Sequence, residues 1–268
     1  MSSDKDAMRN ILIVALSVCF VCSVVVSGAA VSLKPERLAN KELDRNKNIL
    51  IAAGLFEKGV TNDSQVDNLF KSFEVRVVDL QTHQILTLDE IKQTNIDFSR
   101  YDQRKAAKDR SMSVALSTTE DIASISTRAN YSIIYLLKRD GELQRVVLPV
   151  HGYGLWSTLY GFISVQADGN TVSGITFYEH QETAGLGGEV DNPRWKGLWP
   201  GKKIYDEKGN VALEVIKGSV VSGSSKEKYQ VDGLSGATLT SRGVSNLVEY
   251  WLGDQAFGPV LKKLGGKT

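Results

Sequence analysis

The chain is 268 residues long, 42% hydrophobic and 24% charged, an ordinary globular balance with length for one sizeable core or two small ones. Its 32 basic and 31 acidic residues leave a net charge of +1, which excludes the basic face of a nucleic-acid binder. Both cysteines, Cys19 and Cys22, fall in an apolar N-terminal run, so the remainder has no disulfide framework, thiol nucleophile or thiolate metal site. On a helix in lipid this Cys-x-x-Cys pair reads as two small apolar side chains.

A short N-terminal segment, residues 1–10, precedes residues 11–33, which carry no charge and are bracketed by Asn10 and Lys34. At about 1.5 Å per residue this run reaches roughly 34 Å, enough to cross the hydrocarbon core. We read it as a retained transmembrane helix. The alternative is a cleaved signal peptide, with Lys5 and Arg9 as its basic region and Ser27-Gly28-Ala29 as the cleavage site. Lys34, Arg37, Lys41, Arg45 and Lys47 follow the run. Their excess over Lys5 and Arg9 favours a cytoplasmic C-terminal domain, although large domains translocate largely regardless of such charges.

Residues 34–130 read as a spacer or subdomain. The pattern predicts an amphipathic helix over 42–55, with Leu43, Ile49, Leu50 and Ala53 among its apolar positions. After a break at 59–63, Asp63-Ser64 is placed to cap a second helix over Val66, Leu69 and Phe70. Strands are expected over 73–80 and 84–88. Residues 95–111 form a surface excursion whose Arg104, Lys105, Lys108 and Arg110 make a solvated face.

From residue 131 the pattern changes. Residues 131–137, 145–150, 159–165 and 171–178 are β-rich runs joined by turn signals at Asp140-Gly141 and Asp168-Gly169-Asn170. Another strand is expected over 212–216 and a helix over 243–252, with Val244, Leu247, Val248 and Trp251 on one stripe. Grouped strands with segregated helices indicate an α+β fold. We therefore expect a single N-terminal transmembrane helix followed by a mixed, mainly antiparallel β-sheet domain with flanking helices, the ligand-bearing domain being residues 131–268.

Three glycine-rich stretches carry the chemistry: His151-Gly152-Tyr153-Gly154-Leu155-Trp156, then His180-Gln181-Glu182-Thr183-Ala184-Gly185-Leu186-Gly187-Gly188, then Asp232-Gly233-Leu234-Ser235-Gly236-Ala237-Thr238-Leu239-Thr240-Ser241. In the third, a small-residue loop running into a helix gathers free backbone N–H groups and a positive helix end around one point suited to a phosphate. Taken alone, it reads more simply as a helix capped by Thr240 or Ser241. It lacks the lysine of a triphosphate-binding P-loop. In the other two loops, glycines let backbone approach a flat ring, which Trp156 and Leu186 can sandwich while Glu182 and Thr183 bond its polar edge. Together the loops point to one planar, phosphorylated cofactor.

Asp232-x-x-Ser235-Gly236-Ala237-Thr238 resembles the D-x-x-[ST]-G-A-T flavinylation motif of FMN-binding domains. The order of one N-terminal helix, a spacer, G-x-G-L-W, H-Q-E-T-x-G-L-G and S-G-A-T before a C-terminal helix resembles the C subunit of the sodium-translocating NADH:quinone oxidoreductases, over essentially the whole chain. The resemblance implies FMN as a phosphoester on Thr238, attached by a flavin transferase that uses FAD and Mg²⁺. Asp232 would serve that modification, and Ser235, Gly236 and Ala237 would line the phosphate and ribityl chain. Trp156, Glu182, Thr183, Leu186 and Gly187 would surround the isoalloxazine. It further implies a single-electron carrier among the other subunits of a six-subunit complex of the bacterial inner membrane, which oxidises NADH, reduces ubiquinone and exports Na⁺. The soluble domain would be periplasmic, against the local charge count. No nucleophile–base pair stands out, and the histidines are only His83, His151 and His180, so neither a catalytic residue nor a metal centre is expected. One uncharged helix does not make an ion path, so pumping would belong mainly to partners. The competing expectations are the homologous G-type subunit of the ferredoxin-dependent respiratory complex, a cofactor-free periplasmic binding module, and a flavin-dependent reductase acting on a small substrate.

Overall fold

The structure, a computed structural model, describes residues 2–57 and 59–266. Met1 of the N-terminal segment lies outside the described residues, as do Lys58, the side chains of residues 2–6 (Lys5 among them) and residues 267–268. The chain divides into two units, residues 1–45 and 46–268.

In the first unit, α1 (Ser2–Ser32) contains one stretch, Ala7–Ser32, long and apolar enough to cross a membrane. Its apolar side chains find no protein cover, with Leu16 68% and Phe20 70% exposed. α2 (Lys34–Ala52) starts earlier than the helix expected from residue 42. Pro35 is no obstacle there, because proline is tolerated in a first turn where the amide has no helical partner.

The larger unit begins inside α2, whose Ile49, Leu50 and Ala52 are buried. The Thr176 hydroxyl donates to Asn48 Oδ1 (3.2 Å), and the Arg145 guanidinium donates to the Ala53 carbonyl. α3 (Val66–Phe70) follows a single 3₁₀ turn, Asp63–Gln65, capped by the Asn62 side chain and not by Asp63. Then come β1 (Phe73–Asp79), β2 (Gln84–Ile85), α4 (Leu88–Gln93), α5 (Gln103–Ala106), β3 (Ser113–Ala115) and β4 (Thr127–Ala129). The strand expected over 84–88 ends at Ile85 because Thr87 and Glu90 form a capping box: Thr87 Oγ1 accepts from Glu90 N (3.3 Å) and Glu90 Oε2 from Thr87 N (2.7 Å).

β5 (Tyr131–Arg139), β6 (Glu142–Tyr153) and β7 (Thr158–Gln166) are longer than expected, β8 (Val172–Glu179) is shifted by one residue, and the four make up one side of a six-stranded sheet, ordered β2-β1-β5-β6-β7-β8. Every neighbouring pair in it is antiparallel. The β5–β6 turn places Asp140 (φ 54°) and Gly141 (φ 83°) in the left-handed region, as a type I′ hairpin requires. β1 pairs with β5 along its whole length, Phe73↔Leu137 to Asp79↔Tyr131. From residues 34–130, expected as a spacer or subdomain, β1 and β2 join the sheet whose other four strands lie in residues 131–268.

The remaining elements are α6 (Pro193–Lys196), β9 (Glu214–Val215), β10 (Gln230–Val231), α7 (Thr238–Leu252) and α8 (Gly258–Gly265). β9 and β10 pair in parallel, which makes the fold mixed but mainly antiparallel. One sheet face, with Ile134, Leu136, Leu148 and Val150, joins Leu247, Trp251, Phe257 and Leu261 in a single core. Each large apolar side chain fully buried there stabilises the fold by about 1.5–3 kcal/mol. The other face carries an aromatic row, Phe70–Tyr135 (5.8 Å), Tyr135–Phe162 (6.2 Å) and Phe162–Tyr178 (5.3 Å).

α7 lies hard against β6. A Cβ on Gly243 would sit 2.4 Å from the Tyr153 carbonyl and 3.0 Å from Gly154 Cα. Gly243→Ala should therefore destabilise the domain by about 1–3 kcal/mol, overpacking outweighing the ~1 kcal/mol gain in helix propensity. Thermal unfolding of the full chain in detergent checks this, and an unchanged or raised Tm would contradict the close approach.

Candidate functional site

The three glycine-rich stretches meet at one carboxylate. Glu182 is buried. Its Oε1 accepts from the backbone amides of Leu155 (3.0 Å), Trp156 (2.9 Å) and Ser157 (3.2 Å), in the turn between β6 and β7. Its Oε2 accepts from the Thr240 hydroxyl (2.7 Å) in the first turn of α7. Burial by itself would raise the Glu182 pKa, but these four bonds to the charged form outweigh it and hold the pKa below the usual value. Glycine makes room for this group: a Cβ on Gly154 would lie 2.6 Å from Glu182 Oε1, and one on Gly187 2.6 Å from Oε2. Glu182 thus fastens the loops together, and Gly154 and Gly187 serve that carboxylate directly.

The third stretch is ordered by its own polar groups. Asp232 Oδ1 accepts from Val220 N (2.7 Å), and the Asp232 carbonyl accepts from Trp195 Nε1 (2.8 Å). Gly236 takes a φ of +71° in the turn 234–237, and a side chain there would also meet Leu186 Cδ2 at 2.9 Å. The chain then enters α7 at Thr238, five residues before the expected start, with buried Ala237 as N-cap and no side-chain cap. The simple capping role considered for Thr240 and Ser241 is therefore set aside. The Thr240 hydroxyl goes to Glu182, and Ser241 Oγ accepts from Leu234 N (3.0 Å). Thr238 itself is exposed, and its hydroxyl has no hydrogen-bond partner among the described residues.

Thr238 opens onto a cavity of about 350 Å³ lined also by Lys217, Gly218, Gly233, Arg242 and Glu214. Lys217 and Arg242 belong to no motif, so composition and spacing did not single them out. Arg242 stands four residues after Thr238 on one helix face, which was the only available signal. The same three loops carry exposed apolar side chains, Trp156 (64%), Leu186 (43%) and Leu239 (51%). Ser235 and Thr183 are exposed as well, and the Thr183 carbonyl accepts from Leu186 N (3.1 Å) and Gly188 N (2.9 Å).

The histidines take structural places. His180 Nδ1 accepts from Glu182 N (3.2 Å), so Nε2 carries the proton that faces Asp191 Oδ2 (3.2 Å). The His151 ring packs between Tyr160 (5.5 Å) and Trp251 (4.8 Å). Arg104, expected on a solvated face, instead sits 3.6 Å over the Tyr160 ring and forks onto Glu179 (2.6 and 2.7 Å). Residues distant in sequence supply these partners, which a local charge pattern does not reveal. Burial, and then the Arg104 charge, lower the His151 pKa to about 4. Folding thus opposes its protonation. Its contribution to stability is complete above pH 6.5 and falls away between pH 6.5 and 4, by at most about 3 kcal/mol. Chemical denaturation across that window should show the loss, and His151→Phe should remove most of the slope.

The profile of the family described as FMN-binding domain matches residues 154–253, a span that takes in Glu182, Asp232, Thr238 and the whole of α7. The chain is 50% identical over 263 residues to the C subunit of the Na(+)-translocating NADH-quinone reductase of Pseudomonas aeruginosa, covering 98% of each chain. To the corresponding subunit of Vibrio alginolyticus it is 46% identical over 265 residues, again covering 98% of each. Among solved structures, Shewanella oneidensis NqrC aligns with a TM-score of 0.72 at 35% identity, over 85% of this chain and 99% of that one. The structure of the same reductase's C subunit from Parabacteroides distasonis aligns with a TM-score of 0.61 at 26% identity, over 87% and 96%. Identities of 50% and 46% over 98% of the chain make it a member of the family of C subunits of Na(+)-translocating NADH-quinone reductases.

Proposed function

We propose that this chain is the membrane-anchored, FMN-carrying electron-transfer subunit of a sodium-translocating NADH:quinone oxidoreductase, and that it holds FMN as a phosphoester on Thr238. The observation that carries this reading is the exposed Thr238 hydroxyl, without a partner among the described residues, on the uncapped first turn of α7 beside the cavity of about 350 Å³. The residues present fit the group. The helix start offers N–H donors and a positive dipole end to a phosphate. Trp156, Leu186 and Leu239 offer exposed apolar surface to a flat ring. Bound there, FMN supplies one-electron chemistry.

The chain's own residues hold and orient. Glu182 fixes the backbone that carries Trp156 and Leu186 against the start of α7, and Gly187 and Thr183 shape the turn between them. Ser235, Gly236 and Ala237 form the turn that leads Thr238 to the surface. Asp232 holds the backbone at Val220 through Oδ1, while its Oδ2 meets no donor among the described residues and is free to serve attachment by a flavin transferase using FAD and Mg²⁺. We place the domain in the periplasm, anchored to the inner membrane by α1, receiving and passing single electrons between other subunits of the six-subunit complex toward ubiquinone. The basic residues after the anchor do not forbid this, because long domains cross largely regardless of nearby charge.

Peptide mass spectrometry on the full chain, produced together with the flavin transferase, tests the attachment. A mass increment of FMN less one water should fall on Thr238. An unmodified Thr238, with the transferase shown to be active on a second substrate, would overturn the reading.

A further inference from the structure

We propose that Lys217 and Arg242 form an electrostatic clamp for the phosphate carried on Thr238, an inference that rests on the phosphoester reading. Three observations converge on it. First, both side chains line the same cavity as Thr238. They come from different elements: Lys217 from the segment after β9, Arg242 from the first turns of α7. Second, neither has a hydrogen-bond or ion-pair partner among the described residues, whereas Lys47, Lys138, Lys203 and Lys262 each face a carboxylate. Third, the lining charges leave a surplus that matches the ligand. Lys217 and Arg242 bring two positive charges, and Glu214, held by Gln230 Nε2 (2.8 Å), brings one negative. The net of +1 balances the single negative charge of a phosphodiester.

The backbone has been brought close enough to shape this cavity. Gly233 N donates to the Gly218 carbonyl (2.8 Å), and a Cβ on Gly233 would lie 2.2 Å from the Ile216 carbonyl. Glycine at 233 thus lets the segment bearing Lys217 lie against the loop bearing Thr238. Asp232 ties the same segment from the other side through Val220 N. Arginine and lysine divide the work by geometry, the guanidinium offering a planar fork of donors and the ammonium a compact point charge.

The test uses the full chain in detergent, produced without the transferase so that Thr238 is unmodified, and compares free FMN with riboflavin, which lacks the phosphate. Binding is read by quenching of flavin fluorescence. Wild-type protein should hold FMN about tenfold more tightly than riboflavin, the equivalent of ~1.4 kcal/mol. Lys217→Gln and Arg242→Gln should each bring that ratio toward one while leaving riboflavin binding unchanged. Lys217→Arg should keep the preference, Glu214→Gln should increase it, and salt well above physiological strength should erase it. A wild-type protein that prefers FMN no more than riboflavin, or variants that weaken both flavins equally, would overturn the clamp. Mass spectrometry of the transferase-treated chain separates the two readings. A modified Thr238 without any phosphate preference sinks the clamp alone, whereas a phosphate preference with an unmodified Thr238 sinks the phosphoester and leaves a non-covalent FMN site.

Discussion

Thr238→Ala is expected to reduce covalent flavin from one equivalent per chain to none and to bring quinone-linked electron transfer by the assembled complex to background. The reason is local and chemical. Among the hydroxyls of the third glycine-rich stretch, those of Thr240 and Ser241 are committed to Glu182 and Leu234 N, while that of Thr238 is exposed and unpartnered. Ser235 is exposed too, but it lies in the turn before the helix and not on its uncapped first residue. Thr238→Ser keeps a hydroxyl at the same backbone position and should keep the mass increment, at a lower stoichiometry. Because the Thr238 side chain makes no hydrogen bond among the described residues, either change should move stability by no more than about 0.5 kcal/mol. That separates loss of attachment from loss of fold. Protein-bound flavin after denaturation, read by absorbance and peptide mass, is the measurement. Full retention of bound flavin by the alanine variant would place the attachment elsewhere.

Glu182→Ala is the second large effect, and it acts through the fold. The substitution leaves three backbone amides and the Thr240 hydroxyl without their acceptor, beneath a side chain that is only 8% exposed. Unsatisfied buried donors cost about 1–3 kcal/mol each, and water entering beside exposed Trp156 relieves part of this. A total loss of about 3–5 kcal/mol is expected. Glu182→Gln keeps an acceptor for the amides and lets the Thr240 hydroxyl turn round to accept from the new amide group. It should cost only about 1–2 kcal/mol, the difference between charge-assisted and neutral bonds. The pH dependence carries the same signature. The folded-state pKa of Glu182 is lowered, so its stabilisation is present above pH 4.5 and is lost as pH falls through the folded value. The glutamine variant should lack that acid-side loss. If Glu182→Ala melted like wild type while losing flavin, the carboxylate would be a ligand to the ring and not a fastening between loops.

Much of the architecture is legible along the chain because its causes are local. An uncharged apolar run of this length has few stable places other than lipid. The alternation in residues 131–178, punctuated by Asp140-Gly141 and Asp168-Gly169-Asn170, specifies hairpins, since positive φ at Asp140, Gly141 and Gly169 needs such residues. The motif around Thr238 is equally local: a tight turn at Gly236, a buried Ala237, then a hydroxyl on the first residue of a helix. Short-range capping was legible in principle as well. The Thr87-x-x-Glu90 box that cuts short an expected strand and opens α4 was in plain view.

Other features depend on partners far apart in sequence and emerge only on folding. Glu182 reads as a polar residue for a ring edge until its acceptors are seen to reach amides 25–27 residues earlier and a hydroxyl 58 residues later. Arg104 looks like one of four solvated cations, yet a carboxylate 75 residues away fixes it over Tyr160. β1 extends the sheet begun at Tyr131 because an antiparallel neighbour can come from any distance once its backbone groups need pairing. Lys217 has no periodic or motif signal, Arg242 only its place four residues after Thr238, and the folding of the loop against α7 brings them to one cavity. The anchor, the hairpins and the exposed hydroxyl are thus written in short stretches of the chain, each set within a few residues by backbone conformation and polarity. The carboxylate that joins the loops and the cations beside Thr238 come from packing, because hydrogen bonds and charge act through space and not along the chain.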